Sequence, residues 1–241
     1  MSRSNLHAGR QKVLEIYESW ILANLTPDKI SIAVVGGTKD EPELEIFQQL
    51  GFNYEVTYFG ISDNNLYLDL NEKNQITSKF LRSFDLLICC QVLEHIWNMQ
   101  EAIDSLVSLV KKDGLLWINV PASNRKHGSP DYFSAGYQPE LIRNLLSLHH
   151  FETLLMGDIG SPRLYFMTHK QQFWPTSLEH DFPFLRGVQS RAHLFPLKFL
   201  KRSVKNLVKN LQALFWSPRF VHNSQFSTET YYLGKNLSDK A

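Results

Sequence analysis

An apolar run at residues 84–90 (Phe-Asp-Leu-Leu-Ile-Cys-Cys) gives way at once to Gln91 and then to Glu94 and His95. A strand apolar on both faces belongs in the middle of a parallel sheet, and polar groups just past its carboxyl end stand where open α/β sheets bind ligands. Glu94 reads equally as a cap of the following turn. A second group lies in the long loop 121–137, where His127 and Asp131 sit among Gly, Ser, Pro and aromatic residues. Histidine changes protonation near neutral pH, so it can accept a proton from a reacting hydroxyl, and a nearby carboxylate can orient it. The same two residues could simply brace the loop. A third group, Gly36-Gly37-Thr38, follows a short β-branched run. Glycines there let backbone amides approach a ligand, although a tight strand-to-helix turn would use them too. No metal-ligand spacing is present.

The elements that must position these groups alternate. Val13, Ile16, Tyr17, Trp20 and Ile21 recur at helical spacing over 10–24. Strand 30–35 is followed by a helix over 42–50, which Pro42 opens and Gly51 stops. Strands are expected at 55–61, 66–70, 84–90 and 114–120, with a helix at 98–111 before the last. Gly114 is expected in the left-handed position after that helix. A helix at 138–148 and strands at 151–156 and 163–168 complete the order, the last two as a close antiparallel return. This β-α alternation predicts an α/β, doubly wound, mostly parallel sheet with helices on both faces. The boundaries fall at 1–27, an N-terminal helical segment; 28–170, the sheet domain; and 171–241, an aromatic and basic extension with a helix.

The chain has 241 residues, 43% apolar and 20% charged, as expected of a soluble globular protein. Cys89 and Cys90 are neighbours and point to opposite faces of a strand, which suits reduced thiols and a cytoplasmic setting. The amino terminus lacks the apolar core of a signal peptide, and no stretch is apolar enough to span a membrane. The net charge of +1 conceals a split. Residues 182–228 carry eight Lys or Arg and no Asp or Glu, which leaves the rest of the chain acidic.

The strand-loop-helix-turn-strand unit at 84–121, with "FDLL", "LEH" and a Gly and Pro further on, resembles the fourth and fifth strands of class I S-adenosylmethionine-dependent methyltransferases. The resemblance covers residues 28–170. It implies a seven-stranded Rossmann-like sheet, S-adenosylmethionine as cofactor and a methyl acceptor as substrate. It also implies cofactor contacts from Gly36, Gly37 and Thr38, from an acid after the second strand (here Asp63), from Asp69 in Leu68-Asp69-Leu70, and from Gln91. His95 of "LEH" would touch substrate or cofactor. The acidic residue and the three spaced glycines of the family's first motif are reduced to Gly36-Gly37. The Rossmann fingerprint G-x-G-x-x-G is absent, which counts against a dinucleotide enzyme more than against a sulfonium nucleoside.

The loop phrase His127…Pro130-Asp131-Tyr132 is similar to methyltransferases found with sugar and polysaccharide biosynthesis enzymes. It implies O-methylation of a sugar, glycan or related small molecule, with His127 as base and Asp131 orienting it. Tyr132, Phe133 and Tyr137 could stack on a sugar ring or pack within the loop.

Beyond the resemblance, Leu197, Leu200, Val204, Leu207, Val208, Leu211 and Phe215 repeat at helical spacing, with lysines on other faces. Over 197–216 this pattern suits an anionic membrane surface, at the inner face of the membrane, or docking on the domain itself. Nucleic acid is not expected, because no base-stacking motif accompanies the charge. The rival to an enzyme is a non-catalytic scaffold with the same fold, using the basic tail to hold a partner.

Overall fold

The helical spacing near the amino terminus produces α1 (Ala8–Asn24), whose Val13, Leu14, Tyr17 and Ile21 are fully buried. Strand β1 (Ile30–Val35) follows, then α2 (Pro42–Gln49), entered through Pro42 and ended by Gly51 at φ +74°. Next come β2 (Tyr54–Gly60), β3 (Leu66–Tyr67), β4 (Phe84–Cys90), α3 (Met99–Leu109), β5 (Val110–Pro121), α4 (Pro139–Ser147) and β6 (Phe151–Gly160). Two late strands, β7 (Val221–His222) and β8 (Ser227–Asn236), complete the set. This computed structural model describes residues 8–26, 29–63, 65–73, 76–123, 130–160, 221–222 and 227–238. The expected strand 163–168, the helix at 197–216 and His127 lie outside the described residues.

The sheet order is β3-β2-β1-β4-β5-β8-β6-β7. Strands β1 to β5 pair in parallel, and β8 lies antiparallel between β5 and β6. Helices α1 and α2 cover one face through Val13, Tyr17, Val34, Phe47, Ile88 and Trp117. Helices α3 and α4 cover the other through Leu87, Ile103, Leu106, Ile118 and Ile142. The doubly wound α/β expectation therefore holds, as a mixed sheet.

Several boundaries move. Strand β3 stops at Tyr67 because Leu68 and Leu70 turn inward to 2% and 4% exposure. The left-handed residue is Asp113, at φ +62° within the first residues of β5, rather than Gly114. Gly114 is needed for space, since a Cβ there would lie 2.9 Å from the carbonyl oxygens of Lys111 and Phe84. The strand that returns beside β6 is β8, far beyond the expected 163–168. The boundary expected at 170 therefore does not end the sheet, and α1 is part of its core. Strand β8 reads Ser-Thr-Glu-Thr-Tyr-Tyr-Leu-Gly-Lys-Asn, too polar to announce burial. It is nonetheless almost wholly buried, because polar partners receive it. Asn119 Nδ2 donates to Glu229, the Thr230 hydroxyl donates to the Tyr137 carbonyl, and Asn236 Nδ2 donates to the Val110 carbonyl.

Candidate active site

The carboxyl ends of β1, β2, β4, β5 and β6 share one edge of the sheet, and β8 begins there. At that edge β1 turns through Gly36 at φ +74°, a conformation glycine adopts without a Cβ penalty. The Gly36 N–H donates to the Phe59 carbonyl at 2.8 Å. A Cβ on Gly36 would meet Val92 Cγ2 at 2.5 Å, and one on Gly60 would lie 3.8 Å from Gly36 Cα. The ends of β1 and β2 and the residue after Gln91 are thus in contact.

Thr38 shapes the turn that follows. Its carbonyl accepts the Glu41 N–H at 3.1 Å and its hydroxyl accepts the Asp40 N–H at 3.3 Å. Glu41 then folds back over Gly37, its Oε1 2.5 Å from where a Cβ would stand. Burial, and secondly the charge of Glu43, pushes the Glu41 carboxyl up to about 7. Sequence reasoning passed over this residue; its only signal is an acid directly before a helix-opening proline.

Asp63 is exposed on the turn 62–65. Asn65 takes the place nearer the glycines, its Nδ2 3.0 Å from a Cβ built on Gly60. Asp69 is half-buried, and its Oδ1 accepts the Asn71 N–H at 2.8 Å. Asn71 Oδ1 in turn accepts the N–H of Trp97 at 2.9 Å and of Asn98 at 3.3 Å. The loop carrying Asp69 is thereby fixed to the turn after β4.

Gln91 holds φ +56°, a strained value outside glycine that recurs at functional turns. Its N–H donates to the Asn119 carbonyl at 2.7 Å. Its Nε2 donates to Asn119 Oδ1 at 2.8 Å and to Glu229 Oε2 at 3.1 Å. The side chain is therefore engaged by β5 and β8. That partner was invisible in sequence because Glu229 lies 138 residues away.

His95 closes the short turn Leu93–His95 with its side chain 31% exposed. Its Nδ1 lies 2.5 Å from the Asp131 carbonyl oxygen, which fits an Nδ1–H donor, and its Nε2 is 4.0 Å from Glu94 Oε1. Tyr132 meets the imidazole edge-on at 6.0 Å. The buried Glu94 accepts the N–H groups of Phe133 and Ser134 on its carbonyl, and the Tyr137 hydroxyl donates to the Leu93 carbonyl. Residues 131–137 are so fastened over the end of β4. Burial first, with Glu94 adding, raises the phenols of Tyr132 and Tyr137. Asp131 is exposed and meets His95 through its backbone carbonyl.

Beneath this edge, α1 contributes a buried ion pair. Arg10 Nη2 donates to Glu43 Oε1 at 2.6 Å. The same oxygen accepts Trp117 Nε1 at 3.1 Å and the Cys90 thiol at 3.2 Å. Burial works against the guanidinium charge, but Glu43, Cys90 and Glu229 together outweigh it and raise the Arg10 pKa. Burial likewise pushes both thiols up, which leaves Cys89 and Cys90 poor nucleophiles. Among the described residues no cluster of His, Cys, Asp and Glu could hold a metal, and no helix is long and apolar enough to cross a membrane.

Residues 35–206 match the methyltransferase domain family. No curated protein matches the chain. Among solved structures, phosphoethanolamine N-methyltransferase 2 of Haemonchus contortus, in complex with S-adenosyl-L-methionine, aligns with a TM-score of 0.52 at 12% identity. The alignment covers 97% of this chain and 54% of that enzyme, so the chain spans about half its length. A Galdieria sulphuraria protein assigned as a sarcosine dimethylglycine methyltransferase gives 0.52 at 12%, covering 94% of this chain and 87% of its own. The cyclase SpnF gives 0.52 at 13%, covering 96% and 86%. At such identities the likeness is one of fold.

Proposed function

The chain belongs to the methyltransferase domain family, in its class I, S-adenosylmethionine-dependent branch, and from that premise we propose that the carboxyl edge of the sheet binds the cofactor and a hydroxyl-bearing acceptor side by side. The observation that carries this reading is the contact of Gly36 with Val92 and Gly60. It brings the glycine turn, the end of β2 and the end of β4 to one point. The residues present fit a sulfonium nucleoside. Gly36 and Gly37 keep the turn compact, with Val92 and Glu41 in the space a Cβ would take, and Thr38 orders the turn beside them. Asp69 is proposed to receive polar groups of the nucleoside, with Asn65 rather than the exposed Asp63 nearest the glycines. Gln91 is proposed to act through its backbone and its hold on Asn119 and Glu229.

When bound, S-adenosylmethionine supplies an electrophilic methyl group. The acceptor hydroxyl must lose a proton, and alignment supplies much of the remaining rate. His95 is proposed to accept that proton at Nε2. Its Nδ1–H stays on the Asp131 carbonyl, and the Glu94 carboxylate 4.0 Å away offsets the new positive charge. His127, the first base candidate from sequence, remains a proposal on sequence grounds, with Asp131 as its orienting carboxylate. The sugar or glycan class of acceptor, and hence a role in polysaccharide biosynthesis, is supported by the loop phrase at 127–132. The half-exposed Phe133 close to His95 also supports it.

Calorimetric titration with S-adenosylmethionine and S-adenosylhomocysteine tests the core of this reading. Saturable binding at micromolar concentrations is expected, and it enables acceptor screening among nucleotide sugars and glycans. Absence of binding to the folded chain leaves the non-catalytic scaffold.

A further inference from the structure

Glutamine carries a donor and an acceptor on one planar group, and which of them meets a ligand depends on what holds the other. Gln91 stands directly after β4, half-buried and left-handed at φ +56°. Its neighbour Val92 fills the space beside Gly36, so Gln91 borders the glycine turn. Both hydrogen bonds of its carboxamide leave from Nε2, one to Asn119 Oδ1 at 2.8 Å and one to Glu229 Oε2 at 3.1 Å. Asn119 Nδ2 donates to that same Glu229 oxygen at 3.1 Å and to the Thr230 carbonyl at 3.0 Å. The three side chains close a triangle, in which Asn119 and Glu229 are 0% and 1% exposed.

Chemistry dictates the direction of each bond. A carboxylate and a backbone carbonyl only accept, so Asn119 must turn Nδ2 to β8 and Oδ1 to Gln91. Gln91 Nε2 then faces two acceptors. Reversing its carboxamide would set Oε1 against a carboxylate oxygen and an amide oxygen with no donor between them, which is costly where water is excluded. Oε1 is therefore turned away from β5 and β8, as the acceptor that Gln91 offers at the carboxyl edge. The carboxylate also polarises the amide that donates to it, which makes Oε1 a better partner for a cation. The same triangle steadies the left-handed backbone, since the Gln91 N–H donates to the Asn119 carbonyl at 2.7 Å.

We infer that Glu229, on the last strand, is a positioning residue: with Asn119 it fixes Gln91 so that Oε1 accepts from the ammonium group of the bound cofactor. This rests on the carboxyl edge being the S-adenosylmethionine site. The ammonium is the cofactor's one cationic hydrogen-bond donor, because its sulfonium carries no proton. Glu229 itself does not touch the ligand; it acts through the carboxamide of Gln91.

Calorimetric titration of the full chain with three nucleosides tests this. They are S-adenosylhomocysteine, its analogue without the amino group, and 5′-methylthioadenosine, which lacks the whole amino-acid arm. The native chain should bind S-adenosylhomocysteine at least ~10-fold more tightly than the analogue, as a charge-assisted hydrogen bond supplies. Gln91→Leu should lower that ratio about 10-fold, and Glu229→Leu about five-fold. The double variant should fall no further than Gln91→Leu alone, because one residue acts through the other. Glu229→Gln keeps an acceptor and loses the charge, so its ratio should lie between those of the native chain and Glu229→Leu. 5′-Methylthioadenosine should bind all of them alike. A native ratio in both Glu229 variants, additive losses in the double variant, or parallel weakening of 5′-methylthioadenosine overturns the positioning role. If Glu229→Leu does not fold, Glu229→Gln decides alone: an unchanged ratio there overturns it. A native chain that binds none of the three removes the methyl-transfer reading and the role of Glu229 with it. Binding of all three with unchanged ratios removes only the latter.

Discussion

Replacing Glu41 by glutamine should change how the stability of this domain depends on pH. The carboxyl lies over Gly37, and burial, followed by the charge of Glu43, raises it from 4.5 to about 7. Between those values the unfolded chain has released the proton while the folded chain retains it. The native contribution is therefore complete below about pH 4.5 and is lost as the pH climbs through about 7. A shift of that size corresponds to about 3 kcal/mol. That figure is already net of Arg10 and the Thr38 backbone, which favour the ionised form. In acid the native carboxylic acid and the carboxamide are near-equivalent, so the two proteins should unfold together. At about pH 8 the glutamine variant should be the more stable by up to about 3 kcal/mol. Urea unfolding across the pH series reads this directly, provided the slope m is unchanged. Other titrating groups are common to both chains and cancel. Stability curves that run parallel from about pH 5 to about pH 8 would refute a desolvated carboxyl at the glycine turn.

Two further outcomes probe the same edge. Gly36→Ala should cost about 1–2 kcal/mol for its left-handed backbone, plus the contact with Val92, and should weaken S-adenosylhomocysteine binding. Adding Val92→Ala should recover the contact portion of the stability loss and none of the backbone portion, as thermal melting would show. His95→Ala should lower kcat by about 100-fold or more, with KM little changed; an unaltered kcat would remove His95 as the base.

Much of the architecture follows from local pattern. The period of α1, the proline starts of α2 and α4 and the double-sided burial of β4 are each decided within a dozen residues. Strand β8 was not legible, because its burial depends on Gln91, Asn119 and Asp158, which are brought to it by tertiary folding. The same cause limited the site. Gln91 stands directly after β4, as the sequence pattern indicates, but its carboxamide turns to a partner 138 positions away. Asp63 was chosen as the acid after β2, yet the turn 62–65 swings it outward and brings Asn65 over Gly60. Glu41 and Asn71 act through contacts with a glycine and with two backbone amides, and neither leaves a mark in residue spacing.

The placement of β8 also bears on how the chain acquires its structure during synthesis. Among the described residues β6 pairs with β7 and β8, and β5 has β8 as its outer neighbour. More than sixty residues must be added after Gly160 before Ser227 can begin to zip the two together. Until residue 236 has left the ribosome, the nascent chain carries unpaired strand edges on β5 and β6, the kind of surface that recruits chaperones or neighbouring copies. Maturation is thus gated by its last strand, and the long-range pairing that closes the sheet is the step expected to set the folding rate.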